Sequence, residues 1–326
     1  MIKRRVLTAM LAVFASGSFL GAAHAQSDNY PSRPVKLIVP YAAGGGTDAI
    51  ARLVANGVGE KLGQSMVVEN NGTAGGNVAS QLAAKADPDG YTVLMANQGP
   101  MVVNPHLFEN MKLDPLTAFD PVTLIARSPL VVVVSKNSPY KSFSDLMAFG
   151  KANPGKLTYG SAGNGSASHL ATEMLLKMAG IQAVHVPYKG AGPALNDMLG
   201  GRGDFMITTA PSVLGLIDSG DMVPLAVTTK ERVKRFNAPS VAESGYPDYV
   251  SAAWYGFVVP KGTPAAINEK LRKATIEAMG SKEIKDRLEA EGTTLVGDSP
   301  AEFASMMKAE SERWKGFLAT AGISIK

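Results

Sequence analysis

The chain contains no cysteine among its 326 residues, which excludes disulfides, thiolate metal sites and lipid attachment through an N-terminal cysteine. Histidine is scarce, four in all, and His106, His169 and His185 are widely separated. No H-E-x-x-H, G-x-x-x-x-G-K-[ST] or G-x-S-x-G occurs, so the zinc-protease, P-loop and α/β-hydrolase patterns are missing. Neither a metal nor a cofactor is expected. Long apolar runs are missing too: Val6 to Leu20 is interrupted by Thr8, Ser16, Gly17 and Ser18 and falls short of the ~20 residues that cross a bilayer. Preceded by Lys3, Arg4 and Arg5 and followed by Ala23-His24-Ala25, this stretch reads as a cleavable signal peptide, residues 1–25, directing the chain to the periplasm. Nor is there a broad basic field. Taking the three basic residues of that segment from the 32 Lys and Arg leaves 29 against 28 acids, so no nucleic-acid partner is expected. The run Lys230-Glu231-Arg232-x-Lys234-Arg235 reads as a solvated face.

From Val35 onward, short β-branched or apolar runs alternate with helical patterns, the order of a parallel α/β architecture. Periodicity predicts strands at Val35 to Pro40, Met66 to Glu69 and Tyr91 to Ala96, a helix from Thr47 to Leu62 stopped by Gly63, and a turn at Asp87-Pro88-Asp89-Gly90. A second series of strands follows at Leu130 to Val134, Leu157 to Tyr159, Ala183 to Val186, Phe205 to Thr208 and Val223 to Thr228, with helices near Ser166 to Met178 and Pro193 to Leu199. Segments beginning at Pro129 and Gly256 share the order strand, Lys, small polar residue, Pro, helix, as if each opens a lobe after a crossover. Residues 26–127 and 255–326 are then expected to form a discontinuous first lobe and residues 128–254 a second, with two crossing strands as the hinge. A mature chain of about 300 residues exceeds what one core usually supports, which favours two lobes. The tail, Pro264 to Glu291 and Pro300 to Thr320, is rich in Glu, Lys and Ala and is expected to be helical and packed on lobe one.

The stretch Tyr41-Ala42-Ala43-Gly44-Gly45-Gly46-Thr47-Asp48 joins the first strand to the first helix. Glycines let the backbone curl and a ligand approach it, while a helix start leaves unpaired N–H groups and a partial positive charge; anions bind such places. A cap from Thr47 or Asp48 and a plain turn explain part of the pattern, but three consecutive glycines exceed what a cap needs. Tyr159-Gly160-Ser161-Ala162-Gly163-Asn164-Gly165-Ser166-Ala167-Ser168-His169 repeats the arrangement in the second series, and the two loops are expected to grip one carboxylate between them. Ser166 reads equally well as a simple helix cap, and His169 better as a buried helix histidine bonded to a neighbour than as a ligand contact. Further crevice candidates follow strands: Asn97 and Gln98, the run Pro187 to Gly192, and Thr208-Thr209-Ala210-Pro211. Trp254 and Tyr255, at the return crossover, are either hinge packing or an aromatic wall.

An alternative reading is a dinucleotide-binding oxidoreductase, because Gly44-x-Gly46-x-x-Ala49 follows a strand and Glu69 ends the next. Against it stand export and the carboxylate of Asp48, which would face a pyrophosphate. A Ser166–His169 nucleophile pair has no orienting acid beside it. Binding without catalysis is therefore the expectation.

The runs PSRPVKLIVPYAAGGGTDAIARLVA, LGQSMVVEN, AGGN, DPDGYTVLMA, NPGKLTYGSAGNGSASHLATEML, HVPYKGAGPALNDMLGGRGDFM and AWYGFVVPKGTP cover nearly the whole mature chain. In this order they resemble the Bug group of tripartite tricarboxylate transporter solute receptors, the TctC-like proteins. The resemblance implies a periplasmic binding protein-like (Venus flytrap) fold, two α/β lobes joined by two crossover strands and closing over a small organic acid. It implies that Tyr41 to Asp48 and Ser161 to Ser166 hold the carboxylate through backbone N–H groups, hydroxyls and ordered water rather than an arginine. Its partners would be the permease subunits of a tripartite tricarboxylate transporter, one large and one small, driven by an ion gradient; the receptor itself is expected to be a monomer. The family often reads ENRPGAGG where this chain has Glu69-Asn70-Asn71-Gly72-Thr73-Ala74-Gly75-Gly76, and Asn97-Gln98-Gly99 replaces a commoner Gly or Ser pattern. The first departure is expected to alter loop stiffness, the second ligand selectivity.

Overall fold

The alternation read from the sequence is present in a computed structural model, which describes residues 29–325; the expected leader, residues 1–25, lies outside the described residues. The first series comprises β1 (Val35–Val39), α1 (Gly46–Leu62), β2 (Met66–Asn70), α2 (Asn77–Ala84) and β3 (Thr92–Asn97), and a π-helical turn follows at Gly99–Val103. Next come β4 (Phe119–Ser135), α3 (Phe143–Ala152), β5 (Leu157–Ser161), α4 (Ala167–Ala179), β6 (Ala183–Pro187), α5 (Ala191–Leu199), β7 (Phe205–Thr209), α6 (Ala210–Asp218) and β8 (Met222–Val227). The chain ends with β9 (Ala252–Pro260), α7 (Ala265–Met279), α8 (Lys282–Ala290), β10 (Thr294–Leu295) and α9 (Pro300–Ala321). Local signals account for the boundaries. Gly63 closes α1 in the left-handed conformation at φ 70°, and Ser299 with Glu302 forms a capping box at the start of α9.

The strands run in the order β2-β1-β3-β9-β4-β7-β5-β6, with β10 and β8 also paired to β4. Pairs β1–β2, β1–β3, β5–β6 and β5–β7 are parallel, as expected, but every pair involving β4 or β9 is antiparallel, so the sheet is mixed. The cause is the chain path: strands that leave one half and return to it run against their neighbours. β4 has 17 residues where the sequence pattern predicted five, because Pro121 and the register shifts beside it interrupt the apolar alternation of its first half. Residues Phe119 to Pro129 pair with β9, and from Leu130 onward the partners are β7 and β8. Pro129, which has no amide hydrogen to give a ladder, stands at that handover. Pro129 and Gly256 thus lie inside continuous strands rather than at their starts.

Helix α1 buries Ile50, Ala51, Val54, Ala55 and Val58, and Gly57 lets it approach α7 and α8: a Cβ there would sit 3.1 Å from Ala278 Cβ and 3.0 Å from Ile284 Cδ1. The tail helix α9 lays Phe303, Met307, Trp314 and Leu318 into a core shared with β3, β4 and β9. There Phe303 meets Trp254 edge to face, with ring centroids 5.6 Å apart. This contact needs the bare backbone of Gly256, where a Cβ would lie 2.4 Å from Phe303 Cζ and 2.8 Å from the Thr123 carbonyl. Gly256→Ala should therefore destabilise the fold by about 1–3 kcal/mol through overpacking. Urea unfolding should show a lower midpoint at unchanged slope; an unshifted midpoint would mean that α9 is not seated tightly on β9.

Candidate functional site

Three helices begin at one place: α1 at Gly46, α4 at Ala167 and α6 at Ala210. Each follows a strand directly or through a short loop, and their first-turn amides have no carbonyl four residues back to bond to. Between them lies a small cavity of about 40 Å³ lined by Tyr41, Gly45, Gly46, Thr47, Asn97, Gln98, Ala162, Ser166, Ala167, Ser168, Ala191, Thr208, Thr209, Ser212, Ala253, Trp254 and Tyr255. No residue of this lining carries a charged side chain.

Four of the lining residues hold buried polar atoms with no hydrogen-bond partner: Asn97 Nδ2, Gln98 Oε1, Trp254 Nε1 and the Tyr255 hydroxyl. Buried polar atoms are nearly always paired in folded proteins, so four unpaired ones in a single cavity mark a place shaped for another molecule. Asn97 sits directly across the β3–β9 ladder from Tyr255, and its Oδ1 accepts from the Tyr41 hydroxyl at 3.2 Å. Burial, and the neighbouring Tyr255, hold the Tyr41 phenol far above its usual pKa, so it remains a donor.

The glycine-rich loop is shaped by the segments it faces. Gly44 takes φ +83°, which a side chain resists. A Cβ on Gly45 would lie 3.3 Å from Ala191 Cβ, and one on Gly46 would lie 2.3 Å from Thr209 Oγ1 and 2.8 Å from Ser212 Oγ. The Gly46 N–H donates to Ser212 Oγ at 2.7 Å, and the Ala42 N–H donates to the Lys189 carbonyl at 2.8 Å. Asp48 turns away from the cavity: its carboxylate accepts from the Gly44 N–H and from Asn70 Nδ2, each at 3.0 Å, and pairs with Arg52 Nε at 3.0 Å. Burial pushes its pKa up, but the bonds from Arg52, Gly44 and Asn70 and the Arg52 charge outweigh it and hold the carboxyl below its usual range.

The second loop is folded by its own side chains. The N–H groups of Ala162, Gly163 and Gly165 donate to Ser168 Oγ at 2.8 Å, Ser161 Oγ at 3.1 Å and His169 Nδ1 at 3.2 Å. Ser166 caps α4 by accepting from the His169 N–H. The donors left at this helix start are the amides of Ala167 and Ser168.

Of the residues singled out from sequence, Tyr41, Gly45, Gly46, Thr47, Asn97, Gln98, Ala162, Ser166, Thr208, Thr209 and Trp254 are brought together around the cavity. Ala43, Gly44, Asp48, Ser161, Gly163, Asn164, Gly165 and His169 are not on its wall. Ala43 and Gly44 lie against Gly192, and Gly163 and Asn164 line a separate surface groove with Gly75 and Tyr188. Ser212 was missed although Pro211 in the first turn of α6 signals a helix start there, and Ala253 carried no signal; Ser168 and Ala191, inside stretches the sequence offered, and Tyr255, one of its two candidate aromatics, do reach the wall.

A mixed α/β fold with helix starts converging on an uncharged, partly unsatisfied cavity defines a solute receptor of the periplasmic binding protein type. Residues 50–323 match the model of the tripartite tricarboxylate transporter family receptor, and the chain belongs to that family, which consists of periplasmic receptors and not enzymes. It is similar to protein BugT of Bordetella pertussis, 35% identical over 98% of each chain. Among solved structures it is similar to R. palustris Rpa4515 with adipate, at 37% identity and TM-score 0.87, covering 90% of this chain and 99% of that one. It is also similar to MatC of Rhodopseudomonas palustris with bound malate, at 29% identity and TM-score 0.84, covering 88% and 99%. The oxidoreductase alternative finds no support. Ala191 and Ser212 occupy the space a pyrophosphate would need above Gly45 and Gly46, and Glu69 is engaged by Lys36 at 2.8 Å.

Behind the second loop His169 stacks on His185 with ring centroids 4.3 Å apart, and His185 stacks on Tyr159 at 4.7 Å while its Nε2 meets Ser161 Oγ at 2.6 Å. Burial and the neighbouring His185 lower the His169 pKa to about 3; burial lowers that of His185 to about 4. Below about pH 6.5 the unfolded chain protonates both imidazoles while the folded chain does not, so stability rises with pH through this window and is fully present above it. At pH 5 the loss from His169 alone is about 2 kcal/mol. Chemical denaturation at pH 7 and pH 5 should show the wild type losing clearly more stability than His169→Gln/His185→Gln; equal losses would refute the buried neutral pair.

Proposed function

We propose that this receptor captures a small organic carboxylate in the cavity between the starts of α1, α4 and α6 and presents it to the large and small membrane subunits of a tripartite transporter. The observation that carries this reading is the set of four buried, unpartnered polar atoms in a cavity without charged side chains. The amides of Thr47, Ala167 and Ser168 and the Asn97 and Trp254 donors offer hydrogen bonds to an anion, and the positive ends of three helices favour it without a permanent countercharge. The adipate and malate held by two relatives are acids of this class.

On this reading residues 26–127 and 255–326 move as one lobe and residues 128–254 as the other, with the paired strands β4 and β9 as the hinge near Arg127 and Trp254. Residues 1–25 act as the export signal, and the receptor works as a monomer. A ligand touching both halves makes its full set of contacts only when they meet, which shifts the population toward the shut form.

A fitting acid at 100 times its Kd should stabilise protein purified from the periplasm by about 2.7 kcal/mol. A thermal-shift panel of mono-, di- and tricarboxylic acids reads this directly. Gly46→Val places atoms where Thr209 and Ser212 now lie and should abolish the shift for every acid; a panel without any shift, or a shift that survives Gly46→Val, would place the site elsewhere.

A further inference from the structure

The polarity of the unpaired atoms says more about the ligand than that it is an acid. Resting on the receptor reading above, we infer that the acid carries a hydroxyl group, accepted by Gln98 and reached by the donors of Asn97 and Trp254, and that this wall decides which acids bind. The Tyr41 hydroxyl donates to Asn97 Oδ1 at 3.2 Å, and Asn97 Nδ2 is left without a partner. The indole Nε1–H of Trp254 only donates, and Phe303 packed edge to face against the ring holds it in place. Both suit an oxygen lone pair.

Gln98 is the discriminating residue. Its Oε1 is an acceptor, unpaired, on a side chain only 2% exposed. A carboxylate offers lone pairs alone, so an acid without a donor leaves Gln98 Oε1 bare and facing an anion. One hydroxyl answers both demands, donating its proton to Gln98 while accepting from Asn97 or Trp254. An ammonium group would also donate, but the lining contains no Asp or Glu to neutralise it, since Asp48 is turned out to Arg52. The ligand class is therefore a hydroxycarboxylate.

Sites built to pair a substrate hydroxyl reject the analogue lacking it by large factors, because their own polar groups are left unpaired. The test is calorimetric titration of the full mature receptor with matched probes: malate against succinate, lactate against propionate, and 3-hydroxybutyrate against butyrate. In the pair whose length fits, the hydroxylated acid should bind at least about tenfold more tightly. Gln98→Leu should bring that ratio to about one. Should Gln98→Leu not fold, Trp254→Phe reads the same preference from the donor side and should shrink the ratio likewise. Equal affinities within every pair, aspartate binding more tightly than malate, or Gln98→Leu weakening both members of a pair alike would overturn the inference while leaving carboxylate capture intact. Binding of no carboxylate at all would instead overturn the receptor reading on which it rests.

Discussion

An anion leaves water for the interior of a protein only where aimed donors replace its hydration, and here the donors must come from an uncharged wall. Everything around the cavity bears on that constraint. Three helices start there and bring amides with unsatisfied valence, while the nearest carboxylate, Asp48, is pulled out of the way by Arg52, Asn70 and the Gly44 amide. The same crowding explains the glycines. Gly45 and Gly46 are bare because Ala191, Thr209 and Ser212 of the facing segment come within contact distance of their backbone. A loop that looks designed only for a ligand is thus equally a loop shaped for its opposite half.

The sheet makes this apposition possible. Strand β4 serves two sets of partners, β9 and β10 along its first half and β7 and β8 along its second, so one rod of backbone runs through both halves of the molecule. β9 returns beside it and carries Trp254 and Tyr255 at the point where the partners change. The indole and the phenol therefore belong both to the packed core and to the wall of the cavity. α9 completes the arrangement by pressing Phe303 on Trp254 from behind.

The regular parts of this architecture were legible because their signals are local. Strands β1, β2, β5, β6 and β7 and helices α1, α4 and α9 follow from apolar period, β-branching, Gly63 and a tail rich in Glu, Lys and Ala, and the observed ends fall within a few residues of those expected, while the helical stretch expected from Pro264 to Glu291 is divided at Gly280 and Ser281 into α7 and α8. The first half of β4 was hidden by Pro121 and its bulges, α2 by a run of small residues without clear periodicity, and α6 by Gly215 in its middle. At the site, the residues whose backbone lies at a strand end or helix start were found. What failed was side-chain direction: Asp48 and Ser161 turn away from the cavity to Asn70 and His185, partners distant in sequence, whereas His169 is the buried helix histidine bonded to a neighbour, the Gly165 amide, that the sequence favoured. Ser212 reached the wall for the same reason, through contacts with a glycine 166 positions away in the chain.

The protein has two tryptophans, and they stand in opposite situations: the Trp314 indole N–H donates to Glu310 Oε2 at 3.1 Å, while that of Trp254 is buried without a partner. The indole region of a ¹H–¹⁵N spectrum therefore contains a probe of the cavity and an internal reference. On saturation with a bound carboxylate, the Trp254 indole proton should move downfield as it gains an acceptor, with Trp314 unmoved. A Trp254 resonance that stays in place while the acid binds would contradict the account, because the ligand would then lie away from the wall on which the assignment rests.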